Sequence, residues 1–193
     1  MKKLIILLIV FNNYYAYGQS KSSEKEKIES TIVDFLRLYK IIEADTTFKG
    51  YKITKGGYPD STTQQLIDFD GLEKYLAEIN QKNFLSETFL NDLRRYFFRI
   101  NEEMKLIPPQ NELNAIPGLG TDLILSTFEP KEILDHIDEG RFNKINIIYN
   151  KALVRFRIRK EVQMLFILTR SKENWQIDYI GYDNTYKYSF GRQ

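Results

Sequence analysis

The chain has 193 residues, none of them Cys and one a His, with 28 basic against 26 acidic residues and 14% aromatic content. That length suits one domain with a normal core, and so many aromatic residues argue against disorder. The composition excludes disulfides, a thiol nucleophile, a thiolate metal site and an N-terminal lipid-bearing Cys, and it leaves His-based metal and triad arrangements short of residues.

Residues 1–18 carry the three parts of a secretion signal. Lys2 and Lys3 give a positive start, Leu4–Phe11 is an apolar run, and Ala16 and Gly18 are small residues before a cut ahead of Gln19. The run of eight apolar residues is far short of the roughly 20 that span a bilayer. The expectation is export to the periplasm or the exterior, cleavage near Gly18-Gln19, and no stable membrane insertion afterwards. A short uncleaved anchor is the alternative. Taking Lys2 and Lys3 from the 28 basic residues leaves as many as the 26 acidic ones. A neutral chain has no general electrostatic case for nucleic acid.

Residues 19–27 (QSKSSEKEK) read as a loose polar lead-in. A single domain is expected over 28–182. It opens with Ile28, Ile32, Phe35, Leu36, Tyr39 and Ile42 at the spacing of one helical stripe. Gly50, Gly56-Gly57 and Pro59-Asp60 then break the period, and Tyr51, Ile53 and Tyr58 hint at a short hairpin. Asp70 with Glu73 predicts a helix start, with Leu72, Tyr75, Leu76 and Ile79 as its buried face. Ser86 predicts the N-cap of a longer helix, whose stripe runs from Phe89 to Met104 and which Pro108-Pro109 stops. Residues 108–121 form a long loop rich in Pro and Gly. Glu129-Pro130 opens a short helix that Gly140 ends.

The last third reads as four strands, Ile145–Tyr149, Ala152–Arg159, Val162–Thr169 and Trp175–Tyr182, joined by short turns that force antiparallel neighbours. The nearly unbroken apolar run of the third strand predicts a central position covered on both faces. Helices followed by an antiparallel meander give an α+β fold, with N-terminal helices packed on a curved sheet of four or more strands. Residues 183–193 are an aromatic tail, read as an added edge strand or a surface for a partner.

The end of the chain carries a resemblance. Ala152-Leu153-Val154, a hydrophobic strand, and Lys172-Glu173-Asn174-Trp175-Gln176-Ile177-Asp178-Tyr179-Ile180 are similar to the closing strands of the nuclear transport factor 2-like (cystatin-like) superfamily of α+β cones. The echo covers about residues 120–182 and looks like exported bacterial members of unknown function. The resemblance implies helices leading into a curved antiparallel sheet. It does not imply one activity, because that fold hosts enzymes, ligand binders and adaptors.

Five residues stand out as candidates. Arg155, Arg157 and Arg159 form a row on one strand face and could bind a carboxylate, a phosphate or an acidic partner. A two-residue turn at Lys160-Glu161 would set Arg155 opposite Phe166, Arg157 opposite Met164 and Arg159 opposite Val162, with the stems covering those side chains. Asp122 either caps the segment that follows it or faces a pocket. Trp175, expected to share a face with Ile177 and Tyr179, either packs in the core or lines the mouth of the cone. His136 reads as a solvated helix residue. No nucleophile–base pair, metal cluster or cofactor loop is evident. The expected function is therefore non-catalytic binding of an acidic protein or small anionic ligand, as an immunity-type protein or an envelope-complex subunit. The alternative is a small hydrolase or isomerase of the cone fold, using Asp122, His136 or a buried Tyr as acid or base.

Overall fold

The computed structural model describes residues 2–44, 53–57, 62–109, 121–159, 162–172 and 174–182, with side chains from residue 23 onward. Tyr51, Tyr58, the Lys160-Glu161 turn, most of the loop at 108–121 and the tail at 183–193 lie outside the described residues. Four helices, α1 (Lys2–Ala44), α2 (Phe69–Ile79), α3 (Glu87–Met104) and α4 (Pro130–Leu134), accompany six strands. Strands β1 (Thr54–Lys55) and β2 (Leu66–Ile67) form a small hairpin. Strands β3 (Arg141–Ile148), β4 (Lys151–Arg159), β5 (Val162–Ser171) and β6 (Asn174–Tyr182) form an antiparallel meander in chain order. The fold is α+β, as the order of helical and alternating periods requires.

The amphipathic stripes account for the packing. Ile28, Ile32, Phe35 and Leu36 of α1 are fully buried, as are Leu72 and Ile79 of α2. Phe89, Leu93, Phe97 and Ile100 bury the matching face of α3. They meet one face of the sheet, where Val154, Phe156, Met164, Phe166, Leu168 and Ile177 have lost essentially all contact with water. Phe142 and Phe156 pack with ring centroids 4.6 Å apart. Gly140 admits this stack: a Cβ there would lie 2.1 Å from Cζ of Phe156.

Three local devices fix the helices to the sheet. The Ser86 hydroxyl accepts from the Phe89 N–H, capping α3 as its sequence predicts. The segment before it runs beside β6, where the Ile177 N–H donates to the Phe84 carbonyl at 2.7 Å and the Ser86 N–H to the Ile177 carbonyl at 3.0 Å. That pairing covers one edge of the sheet. Buried Asn101 of α3 accepts from the Ile67 N–H at 3.0 Å and holds the small hairpin in place.

Several expectations are corrected. The segment at 19–27 is helical, because α1 runs through it and Glu24 accepts a bond from the Trp175 indole. Asp68, not Asp70, occupies the N-cap of α2, and Asp70 lies in its first turn. The first sheet strand starts at Arg141, earlier than its apolar run suggests, and turns at Tyr149-Asn150. Tyr149 adopts φ 55° there. Strand β5 is central but only its inner face is fully covered; Leu165 and Ile167 on the other face stay half-buried. Among the described residues, no helix is long and apolar enough to cross a membrane.

Candidate functional site: the outer face of the sheet

The helices cover one face of the meander and leave the other open. Register decides which side chains share the open face, because opposed residues on neighbouring strands point the same way. Arg141 lies opposite Arg157, and Lys144 opposite Arg155. Four cations thus form two like-charged pairs across β3 and β4. Beside them on β4 and β5, Leu153 faces Ile167, Arg155 faces Leu165, and Arg157 faces Gln163. Tyr179 of β6 faces Ile167 and lies across Gly181, where a Cβ would stand 2.2 Å from its hydroxyl oxygen. Leu153 is 39% exposed and Tyr179 47%, while Tyr149 at the tip of the β3–β4 turn is 96% exposed.

This surface is costly to the fold by itself. Like charges directly opposite on adjacent strands destabilise a sheet. Arg141, Lys144 and Arg157 form no ion pair among the described residues, so nothing there offsets the repulsion for them. The acid nearest in the sheet, Asp178, is committed elsewhere: it accepts from Lys151 at 2.8 Å and bonds Thr169. Burial raises the Asp178 pKa, but the bonds from Lys151, Thr169 and Ser86 outweigh it and hold the carboxyl below the ordinary aspartate range.

The Arg row divides. A bulge between Arg157 and Arg159 leaves Ile158 without a partner and shifts the register, so that Val154 faces Phe166 and Phe156 faces Met164 inside the core. The expected pairing of Arg155 with Phe166 and Arg157 with Met164 is therefore overturned. It would have set arginines against side chains that the helices bury, and the bulge keeps each face chemically uniform. Arg159 keeps its place opposite Val162 but turns toward α4. It donates to Glu132 at 2.7 Å and bonds His136 Nε2. His136 lies in the turn after α4, half-buried, with Nδ1 3.0 Å from the Glu132 carbonyl oxygen. It is not a solvated helix residue. Arg37 to Asp138 and Lys40 to Asp135 tie the same turn to α1.

The other two candidates sit apart. Asp122 lies between α1 and the turn at 123–126. One carboxylate oxygen accepts from the Leu125 N–H at 2.6 Å and the other from the Tyr39 hydroxyl at 2.7 Å. Burial raises the Asp122 pKa, and the bonds from Leu125, Tyr39 and Ile124 offset this only in part. Burial also pushes up Tyr39 and Tyr75, which bond each other. Asp122 thus performs the expected turn duty and also pins the turn to α1. Trp175 is 3% exposed and packs in the core with Ile177. Tyr179 does not share their face, because a bulge at Asp178 turns it outward.

Arg141 and Lys144 lie outside the expected strand because β3 begins before its apolar run, and Tyr179 leaves its expected face because a bulge in β6 breaks the strict alternation that assigns faces. Among the described residues, no group of three or more His, Cys, Asp or Glu side chains could hold a metal ion. No family model matches the chain, and neither a curated protein nor a solved structure matches it.

Proposed function

We propose that the protein is an exported binding protein whose open sheet face docks an acidic protein partner. The observation that carries this reading is the pair of like-charged contacts, Arg141 with Arg157 and Lys144 with Arg155, beside exposed Leu153 and Tyr179. A partner carboxylate between each pair would turn repulsion into attraction, and the apolar side chains would supply the dehydrated centre of the contact. Export rests on the pattern of residues 1–18, and kinship with nuclear transport factor 2-like proteins rests on residues 120–182. An immunity-type protein or a subunit of an envelope complex suits such a face.

The test is capture from the native cell envelope followed by native mass spectrometry, comparing the protein with an Arg141→Ser/Arg155→Ser/Arg157→Ser variant. A stoichiometric acidic polypeptide is expected on the first and not on the second. Its retention should fall as salt rises, since exposed charges more than about 10 Å apart are screened at 0.1 M ionic strength. A bare chain, or a companion that survives the triple substitution, overturns the reading.

A further inference from the structure

Away from the open sheet face, three segments converge on a cleft of about 500 Å³. Lys27 enters from α1, Lys82 and Phe84 from the α2–α3 connection, and Lys172 and Trp175 from the β5–β6 turn. It shares none of the cationic or apolar residues named above for the open sheet face. We propose that this cleft binds a phosphate monoester, with the phosphate among the three ammonium groups and the organic body against half-buried Phe84, beside the buried Trp175.

The charge balance supports an anion. No carboxylate is among the described lining residues. Lys82 and Lys172 form no ion pair with a described residue, whereas Lys27 is shared with Glu24 at 3.3 Å. Glu24 is itself engaged, accepting from the Trp175 indole at 2.9 Å and lying 3.5 Å from Arg170. It steadies the floor of the cleft and is not free to turn toward the other two lysines.

The type of cation narrows the ligand. No arginine is among the described lining residues. Planar carboxylates are matched best by the guanidinium fork, while ammonium groups act as point charges suited to a compact, doubly charged head. Amide and hydroxyl groups of Asn174, Gln176 and Ser171 supply further donors around them. The volume falls in the range of small-molecule sites, about 300–1,000 Å³, and exceeds what a bare phosphate fills.

The backbone of both lips is turned sharply, and at Lys172 this is what a two-residue hairpin turn between β5 and β6 requires. Asn83 and Lys172 both adopt left-handed backbone, at φ 56° and 57°. Lysine has no side-chain device that favours this region. Gln176 donates to the Asn83 carbonyl at 3.2 Å and fixes one lip against β6. These turns carry Lys82 and Lys172 on opposite sides of one opening.

Trp175 is the only tryptophan of the chain, so its emission reports on this cleft directly. Glycerol 3-phosphate should be titrated into the full chain at constant ionic strength. A saturable change in emission is expected, with affinity at least about tenfold weaker in a Lys82→Gln/Lys172→Gln variant whose unfolding midpoint is unchanged. Either single variant should lose part of that affinity. An absent change, an equal response to acetate, or an unaltered isotherm from the double variant overturns the proposal. Inorganic phosphate binding as tightly as the monoester would overturn the role given to Phe84.

Discussion

The two faces of the same four strands are built from opposite materials. Inward, Val154, Phe156, Phe166 and Leu168 are closed off from water, with α1 and α3 packed on β6 and the turn after α4 packed on β4. Outward, the alternate positions of those strands carry Arg155, Arg157, Leu165 and Tyr179, with Arg141 and Lys144 alongside. The inner face satisfies the chain's own folding. The outer face sets like charges against each other and leaves apolar side chains wet, which folding alone does not call for. The difference separates residues that hold the protein together from residues available for recognition.

The sharpest way to break this comparison is to truncate one side chain on each face. Phe166→Ala should cost about 3–5 kcal/mol in urea unfolding, because it opens a cavity in a closed core. Leu153→Ala on the outer face should cost less than about 1 kcal/mol. Equal effects would mean that both faces serve the core.

A smaller effect is expected at Asp178, where a half-buried acid braces the outer face. Asp178→Asn should cost about 1.5–3 kcal/mol at neutral pH, since its bonds from Lys151 and Thr169 involve a charged group. Its folded pKa is lowered, so the folded state releases this proton more readily than the unfolded one. The stability it contributes is therefore full above the unfolded value of about 3.9 and is lost as pH falls through the lower folded value. Unfolding midpoints measured from neutral to acid should show the wild type and the Asn variant converging. A gap that persists at the acid end would assign the loss to packing.

The smallest effect has the opposite sign. Arg157→Glu places a carboxylate opposite Arg141 and should stabilise the sheet by a few tenths to about 1 kcal/mol while abolishing capture of an acidic partner. A variant that is less stable would show that the like-charged pair is not a cost to the fold.

Much of the architecture is legible in the residues. The stripe from Ile28 to Ile42, the Ser86 cap and the four-strand meander all follow from local periods and turn chemistry, and each is seen. The site is legible only in part. Arg155 and Arg157 are visible as a row, but their like-charged partners Arg141 and Lys144 lie one strand away, and Arg159 leaves the row for Glu132 and His136. Asp122 shows turn chemistry in the sequence, whereas its bond to Tyr39 spans 83 positions of chain. Lys27, Lys82 and Lys172 are ordinary surface lysines in sequence and become neighbours of one cleft only when α1, the α2–α3 connection and the β5–β6 turn meet.

The sequence by itself determined the elements: where the period is 3.6, where it is 2, where turns interrupt, and hence an α+β order with helices first. These are local properties, set by a residue and its near neighbours. The tertiary structure alone decided the faces and the partners. One unpaired residue in a strand exchanges inward for outward, so the bulges at Ile158 and Asp178 chose which side chains meet the core and which meet solvent. That choice follows from fitting the sheet against the helices, a condition no local stretch of chain contains.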